Sequence, residues 1–380
     1  MASTPPLRVL HLVGSPTSEF FGDLSRLYAA DCLEATADET RYEFHIAHVT
    51  PDRRWSFPTD LGGAALTRAP TWSLADAVAR IAALDIDVVV PQMFCIPGMT
   101  AYRALFDVLG IPYVGNTPAV MALGADKAAA KAVVAAAGVA VPAGQLLRRG
   151  DEVRVAPPAV VKPVDADNSV GVALVRAPDE FPQALAEAFA HADRVLVEPY
   201  VELGREVRCG AVEREGRLVC LPLEEYAVDS TRKPIRPYHD KISRGAHGGL
   251  NLVAKDAGHA WIVDPSDPVT PAVWEAAAAC HRALGCRHYS LFDFRIDPAG
   301  RPWFLEAGLY SSFARTSVIS VMAAAAGMPL DELFAGLLGE AIGAGTPSHT
   351  QGSGGCREST SVDVTAPRTG VRAARRRDSS

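Results

Sequence analysis

What most limits how this chain can fold is the alternation of short apolar runs and amphipathic stretches along residues 8–114. Residues 8–14, 42–49, 86–91 and 111–114 read as strands, while 24–33, 73–84 and 101–109 space their apolar residues as helices do. Parallel neighbours need a crossover, usually helical, so this alternation predicts a parallel doubly wound sheet. Residues 1–117 are therefore expected to form a Rossmann-like N-terminal domain.

The pattern then changes. Thr117-Pro118 is a helix start, and the Ala-rich stretch after it reads as one helix ending at Gly138. Strands are expected at 159–162, 170–175 and 195–199 with a helix at 180–190, so 118–199 reads as a second unit. A third, 200–342, carries strands at 207–212, 218–223, 290–297 and 302–307, then helices at 270–284 and 317–341. The fold class expected is α/β and α+β. Residues 343–380 are mainly Gly, Ser, Thr and Arg, too poor in apolar surface to offset their ordering entropy, and read as a disordered tail.

Composition narrows the function. Lys+Arg 37 against Asp+Glu 44 gives a net charge of −7, without the basic excess expected of a nucleic-acid binder. The longest apolar runs fall short of the ~20 residues a membrane span needs, and the start lacks a charged leader. A cytoplasmic protein with no nucleic-acid or membrane partner is expected. The seven cysteines are odd in number and never spaced CxxC, so they read as free thiols.

Four stretches could carry chemistry. In the hairpin 291–308, counting back from a four-residue loop at 298–301 sets Asp293 directly opposite Glu306. Opposed carboxylates with Cβ atoms about 5 Å apart repel unless a cation intervenes, and hard oxygen donors favour magnesium. The alternatives are a solvated face or a carboxylate paired with arginine. Lys162 ends an apolar strand before a polar loop, which could serve a phosphate, although a loop with one glycine reads on its own more readily as a solvated hairpin turn. Asp126, Lys127 and Lys131 read on their own as a surface ion-pairing helix face. Glu198 ends a strand and leads to Glu206, by itself a strand end and polar turn. A Walker loop, the full dinucleotide fingerprint, HExxH and GxSxG are all absent.

In order and spacing these stretches, with Gly110 to Asn116 and Asn168 to Gly171, resemble the ATP-grasp ligases, specifically the D-alanine:D-alanine ligase branch, from about residue 7 to 341. The resemblance implies a Rossmann-like domain followed by a two-lobed ATP-grasp fold, with ATP and magnesium, or manganese in its place, as cofactors. It implies that Lys127, Lys162 and Lys241 contact phosphates and that the 165–171 loop, with Ser169 and Gly171, closes over them. The segment Glu198, Tyr200, Val201 would be the adenine hinge, Glu206 would hold ribose, and Asp293 and Glu306 would be metal ligands. On the substrate side Glu19 matches the residue holding the first ammonium and Ser317 the one binding the second carboxylate, each with a plain helix-start alternative. Partners would be small amino-acid or carboxylic-acid substrates, with a homodimer as the family's common state.

Four departures stand out. Leu291 replaces the family's arginine before the metal-binding strand residue, and Gly308 replaces the asparagine of its Glu-x-Asn. Residues 92–98 replace its His-Gly segment, and 310–313 its Pro-Gly-Met turn. Arg295 and Arg315 are candidates to supply the lost charge. The leading reading is thus an ATP-dependent carboxylate-amine ligase working through an acyl phosphate on substrates other than two D-alanines, in specialised biosynthesis. Behind it stand a D-alanine:D-alanine ligase of cell-wall synthesis and a catalytically inactive nucleotide-binding scaffold or sensor.

Overall fold

The computed structural model describes residues 5–166, 169–229, 242–244, 250–252 and 259–345. The first sheet has the strand order Thr71–Trp72, Trp55–Ser56, Tyr42–Val49, Leu7–Gly14, Val88–Pro91. The last three run parallel, as the alternation predicts, but two short antiparallel strands extend the edge. The expected strand at 111–114 is reduced to a single bridge, Val89 to Tyr113. Left-handed Gly110 and Pro112, which lacks an N–H, leave too few ladder bonds there for a strand.

A four-stranded antiparallel sheet follows in the order Gln145–Leu147, Val195–Pro199, Ala159–Pro163, Ala173–Val175, backed by the helix Phe181–Phe189. The largest sheet is also antiparallel, ordered Ala260–Ile262, Glu224–Tyr226, Arg205–Arg214, Tyr289–Ile296, Pro302–Ala307, with Arg217–Cys220 pairing to Arg205–Arg214. The helix Thr270–Leu284 packs on it through Val273, Ala277 and Cys280, which share a core with Phe292, Phe294 and Phe304. The strands 224–226 and 260–262 were not legible beforehand, since three residues are too few to show a period. Among the described residues no single helix is long and apolar enough to cross a membrane.

Two helices expected to be continuous are broken, and one break matters chemically. Asp126 leaves helical geometry (φ −89°, ψ 101°) and caps a new helix, its carboxylate accepting from the Ala129 N–H at 2.9 Å. The predicted helix is therefore two, Pro118–Ala125 and Lys127–Ala136, with Lys127 first in the second. Likewise the stretch 317–341 divides into Val318–Ala325 and Leu330–Gly345, parted by left-handed Gly327 and by Pro329.

Asn116 joins the first sheet to the last. Fully buried, its side-chain amide donates to the Tyr289 and Leu309 carbonyls at 3.0 and 3.1 Å and accepts from the Arg287 N–H at 2.9 Å. Beside it, Gly115 (φ +93°) donates its N–H to His288 Nδ1 at 2.9 Å, and a Cβ there would stand 2.7 Å from the Tyr289 hydroxyl. Burial lowers the His288 pKa to about 4, which keeps the ring neutral and Nδ1 able to accept. Replacing Asn116 with Ala strands two buried carbonyls and one partly buried N–H; a loss of at least about 2 kcal/mol is expected from urea unfolding, since each buried orphaned group costs about 1–3 kcal/mol.

Candidate active site

The carboxylate pair is opposed as expected, by a different route. The register is Ile296 to Pro302, Arg295 to Trp303 and Phe294 to Phe304, one step off the count from a four-residue loop. A bulge at Leu305 then restores Asp293 opposite Glu306. The turn is longer by one residue because Asp297 is held inside it, its carboxylate accepting from the Ala299 and Arg301 N–H groups and from the Trp303 indole.

Each carboxylate has a cation beside it. Across the next strand Arg208 is registered to Asp293 and grips it with two parallel bonds, from Nε and from Nη2. Lys127 Nζ lies 3.5 Å from Glu306 and donates to the Ala166 carbonyl at 2.5 Å. The result is a line of charge, Arg208, Asp293, Glu306, Lys127, in the order plus, minus, minus, plus. Burial alone would weaken the Arg208 cation, but Asp293 outweighs it and holds the guanidinium pKa well above that of free arginine. Among the described residues no third His, Cys, Asp or Glu completes a metal cluster. Two carboxylates nonetheless suit a divalent ion whose other ligands are phosphate and water, and a carboxylate has about four lone-pair sites, so Arg208 on Asp293 leaves room for one.

A second charge cluster lies next to the first. Glu198, 2% exposed, accepts from Lys162 Nζ at 2.6 Å and pairs with Lys131 Nζ at 3.0 Å, and Lys131 also donates to the Phe304 carbonyl. Lys131 is thus a buried member of the site, and the surface-face expectation for it is corrected: the break at Asp126 turns this helix face inward. Burial and the neighbouring Lys162 lower the Lys131 pKa to about 8 against the pull of Glu198. Burial would raise the Glu198 pKa, yet the two lysines prevail and bring it below the ordinary carboxylate value. Both lysines donate to Glu198 Oε1, while its Oε2 is buried with Lys131 Nζ at 3.0 Å.

These groups border two cavities. The smaller, about 100 Å³, is lined by Lys127, Lys162, Ser169, Glu198, Val201, Glu206, Asp293 and Glu306, all singled out from the sequence, together with Arg295. The larger, about 720 Å³, is bordered at one end by Lys127, Arg208, Asp293, Glu306 and Ser317. Its far end is apolar, with Phe20, Phe21, Tyr28, Phe94 and Tyr310. Lys127, Ala166, Asp293 and Glu306 border both cavities, so they mark where the contents of the two would meet.

Other sequence candidates lie elsewhere. Arg295 is turned to Glu206 (2.8 Å) and the Val201 carbonyl, over the Tyr200 ring, and so borders the smaller cavity and not the larger. Arg315 is exposed and paired with Asp31 and Glu34. Neither brings its charge to the larger cavity, which corrects the expectation that one of them replaces the lost arginine. Glu19 is exposed as the first residue of the helix Glu19–Ala35 and borders neither cavity. Tyr200 and Gly171 do not line the cavities either; Gly171 (φ +68°) is a packing glycine, with Pro163 and His191 within 3 Å of where a Cβ would be. Ser317 holds the N-cap position without a capping bond, its hydroxyl 2.7 Å from that of Ser312. Lys241, with Asp167 and Asn168 of the loop, lies outside the described residues, as does the tail from 346 onward. Arg208 was missed, although its parity with Glu206 along one strand was a signal that both share a face.

The chain is similar in sequence and in fold to known ligases. The family model described as D-ala D-ala ligase C-terminus matches residues 145–339. The D-alanine–D-alanine ligase of Citrifermentans bemidjiense is 31% identical over 240 residues, 62% of this chain and 72% of that enzyme. That of Mycolicibacterium smegmatis is 29% identical over 366 residues, covering 86% and 95%. In fold, the crystal structure of the VanG D-Ala:D-Ser ligase from Enterococcus faecalis superposes with a TM-score of 0.71 at 22% identity, over 88% of this chain and 99% of that one.

The buried triad gives a stability test. Because the folded pKa of Glu198 lies below its unfolded value, its contribution is complete above about pH 4.5 and is lost as pH falls through the lowered value. Lys131 gives the same sign in a higher window: between about pH 8 and 10.5 the unfolded chain holds a proton the folded one releases, so stability again rises with pH, here by relieving the cost of a buried ammonium. Glu198→Gln buries two uncompensated ammonium groups; urea unfolding at neutral pH is expected to show a loss of about 3–5 kcal/mol and, at low pH, a shallower acid limb than wild type.

Proposed function

The chain belongs to the D-alanine–D-alanine ligase family of ATP-grasp enzymes, and on that premise we propose that it is an ADP-forming ligase joining the carboxylate of one D-alanine to the amine of a second. The observation that carries this is the meeting of Lys127, Lys162, Glu206, Asp293 and Glu306, from five separate segments, around one small cavity that opens on a larger one. Lys127 and Lys162 neutralise phosphate charge so that an anionic carboxylate approaches an anionic phosphoryl group. Glu206, braced by Arg295, receives ribose hydroxyls. Asp293 and Glu306 hold magnesium, which when bound supplies charge neutralisation on the phosphates.

In the proposed reaction a substrate carboxylate oxygen bonds to the γ-phosphorus as ADP leaves. The amine then bonds to the acyl carbon as phosphate leaves, and water is kept out because it would consume the acyl phosphate. The comparisons support D-alanine as substrate better than a specialised pathway. The specialised reading retains one specific observation: the two segments unlike the family pack on each other. Gln92 Nε2 donates to the Ser312 carbonyl at 2.7 Å, and the Phe94 and Tyr310 rings lie 5.5 Å apart, so this end of the cavity is rebuilt as an aromatic wall.

The test is ADP release and product mass across D- and L-amino acids, singly and in pairs. D-alanyl-D-alanine as the main product is expected; preference for a bulky apolar amino acid would favour the specialised substrate, and Phe94→Ala should then widen acceptance. Lys162→Met should raise the KM for ATP at least about tenfold, while Asp293→Asn and Glu306→Gln should each lower kcat about 10²-fold or more, the scale for losing one electrostatic stabiliser.

A further inference from the structure

We infer that Arg208 is a catalytic residue that binds the substrate's acyl oxygen and steadies the oxyanion formed when the amine attacks. The inference rests on the ligase reading above. Among the described residues that border the larger cavity, Arg208 and Lys127 are the only Arg or Lys, and Lys127 is shared with the smaller cavity. Arg208 is thus the one described Arg or Lys that faces the substrate side alone. A guanidinium has five N–H donors. Two of them, on Nε and Nη2, are used on Asp293, and Nη1 has no acceptor among the described residues. The group is held along one edge by Asp293, lies over the Tyr226 ring with 5.6 Å to the centroid, and lines the larger cavity. That is a preorganised donor, fixed before the reaction, of the kind that stabilises developing charge most effectively.

Arg208 also accounts for the departures on this sheet face. Leu291 is registered to Gly210, one step along the face from the Arg208–Asp293 pair, and the Gly308 N–H donates to the Leu291 carbonyl at 2.7 Å. Among the described residues lining the larger cavity with Leu291, the one cation on the adjacent strand of this face is Arg208. In the step served, the amine nitrogen bonds to the acyl carbon and the carbonyl π pair moves onto oxygen, facing Arg208. The C=O then re-forms, the C–O bond to phosphate breaks, and phosphate leaves with that electron pair and the proton released by the amine.

The test combines kinetics with calorimetry on the full chain. Arg208→Met should lower kcat about 10²–10³-fold, the cost of one oxyanion donor, with the KM for ATP nearly unchanged. Binding of a phosphinate analogue, whose tetrahedral phosphorus stands at the acyl carbon, should weaken about 100-fold, while ADP binding is retained. Arg208→Lys should recover little, because a point charge cannot grip Asp293 and reach the substrate together. The double variant Arg208→Ser with Leu291→Arg, which moves the guanidinium one step along the same face, should recover at least tenfold over Arg208→Met. The proposal is overturned if Arg208→Met keeps wild-type kcat, or if ADP and analogue binding fall together, which would mean that Arg208 only neutralises Asp293. If the wild-type chain releases no ADP with any amino-acid pair, the ligase reading fails, and this assignment fails with it.

Discussion

Two carboxylates set side by side on neighbouring strands cannot both stay ionised without cations, and the site is organised around that constraint. Asp293 and Glu306 face each other across a hairpin, so Arg208 and Lys127 close the row at either end. One layer away the same constraint is met in reverse, with Glu198 holding Lys131 and Lys162 together. Charge removed from water is stable only when paired. The two clusters together give a surface of alternating sign that a polyphosphate and a divalent cation would complete.

Backbone irregularities put those side chains where they are. Asp126 ends one helix to start another, which brings Lys127 against the Ala166 carbonyl and turns Lys131 inward. The bulge at Leu305 offsets the extra turn residue at Asp297, so Glu306 rather than Leu305 faces Asp293. At Gly115 and Asn116 the first sheet is fastened to the last by a polar joint, on which the positions of the two cavity walls depend.

The departures from the family's motifs fall into two contacting pairs. Leu291 and Gly308 share a backbone hydrogen bond on the reacting face, while the segments around Gln92 and Ser312 touch through a side-chain bond and the Phe94–Tyr310 ring contact. The second pair meets although Gln92 and Ser312 lie 220 positions apart in the chain. The charge lost at position 291 is available again from Arg208 on the next strand.

Much was legible in the chain alone. The βαβ alternation pointed to the three parallel strands of the first sheet, and the hairpin pattern pointed to Asp293 facing Glu306, although the count assumed a turn one residue too short and the bulge at Leu305 makes good the difference. Lys127, Lys162, Glu198, Glu206 and the carboxylate pair could be picked out one by one. Their meeting around one cavity was decided only by the tertiary structure, as were the burial of Lys131, the pairing of Arg208 with Asp293 and the diversion of Arg295 to Glu206. These depend on strand order and on helix breaks, which bring together residues 80 or more positions apart. The physical reason is that the partner of a buried charge is chosen by what desolvates beside it, and that neighbour is a property of the folded chain.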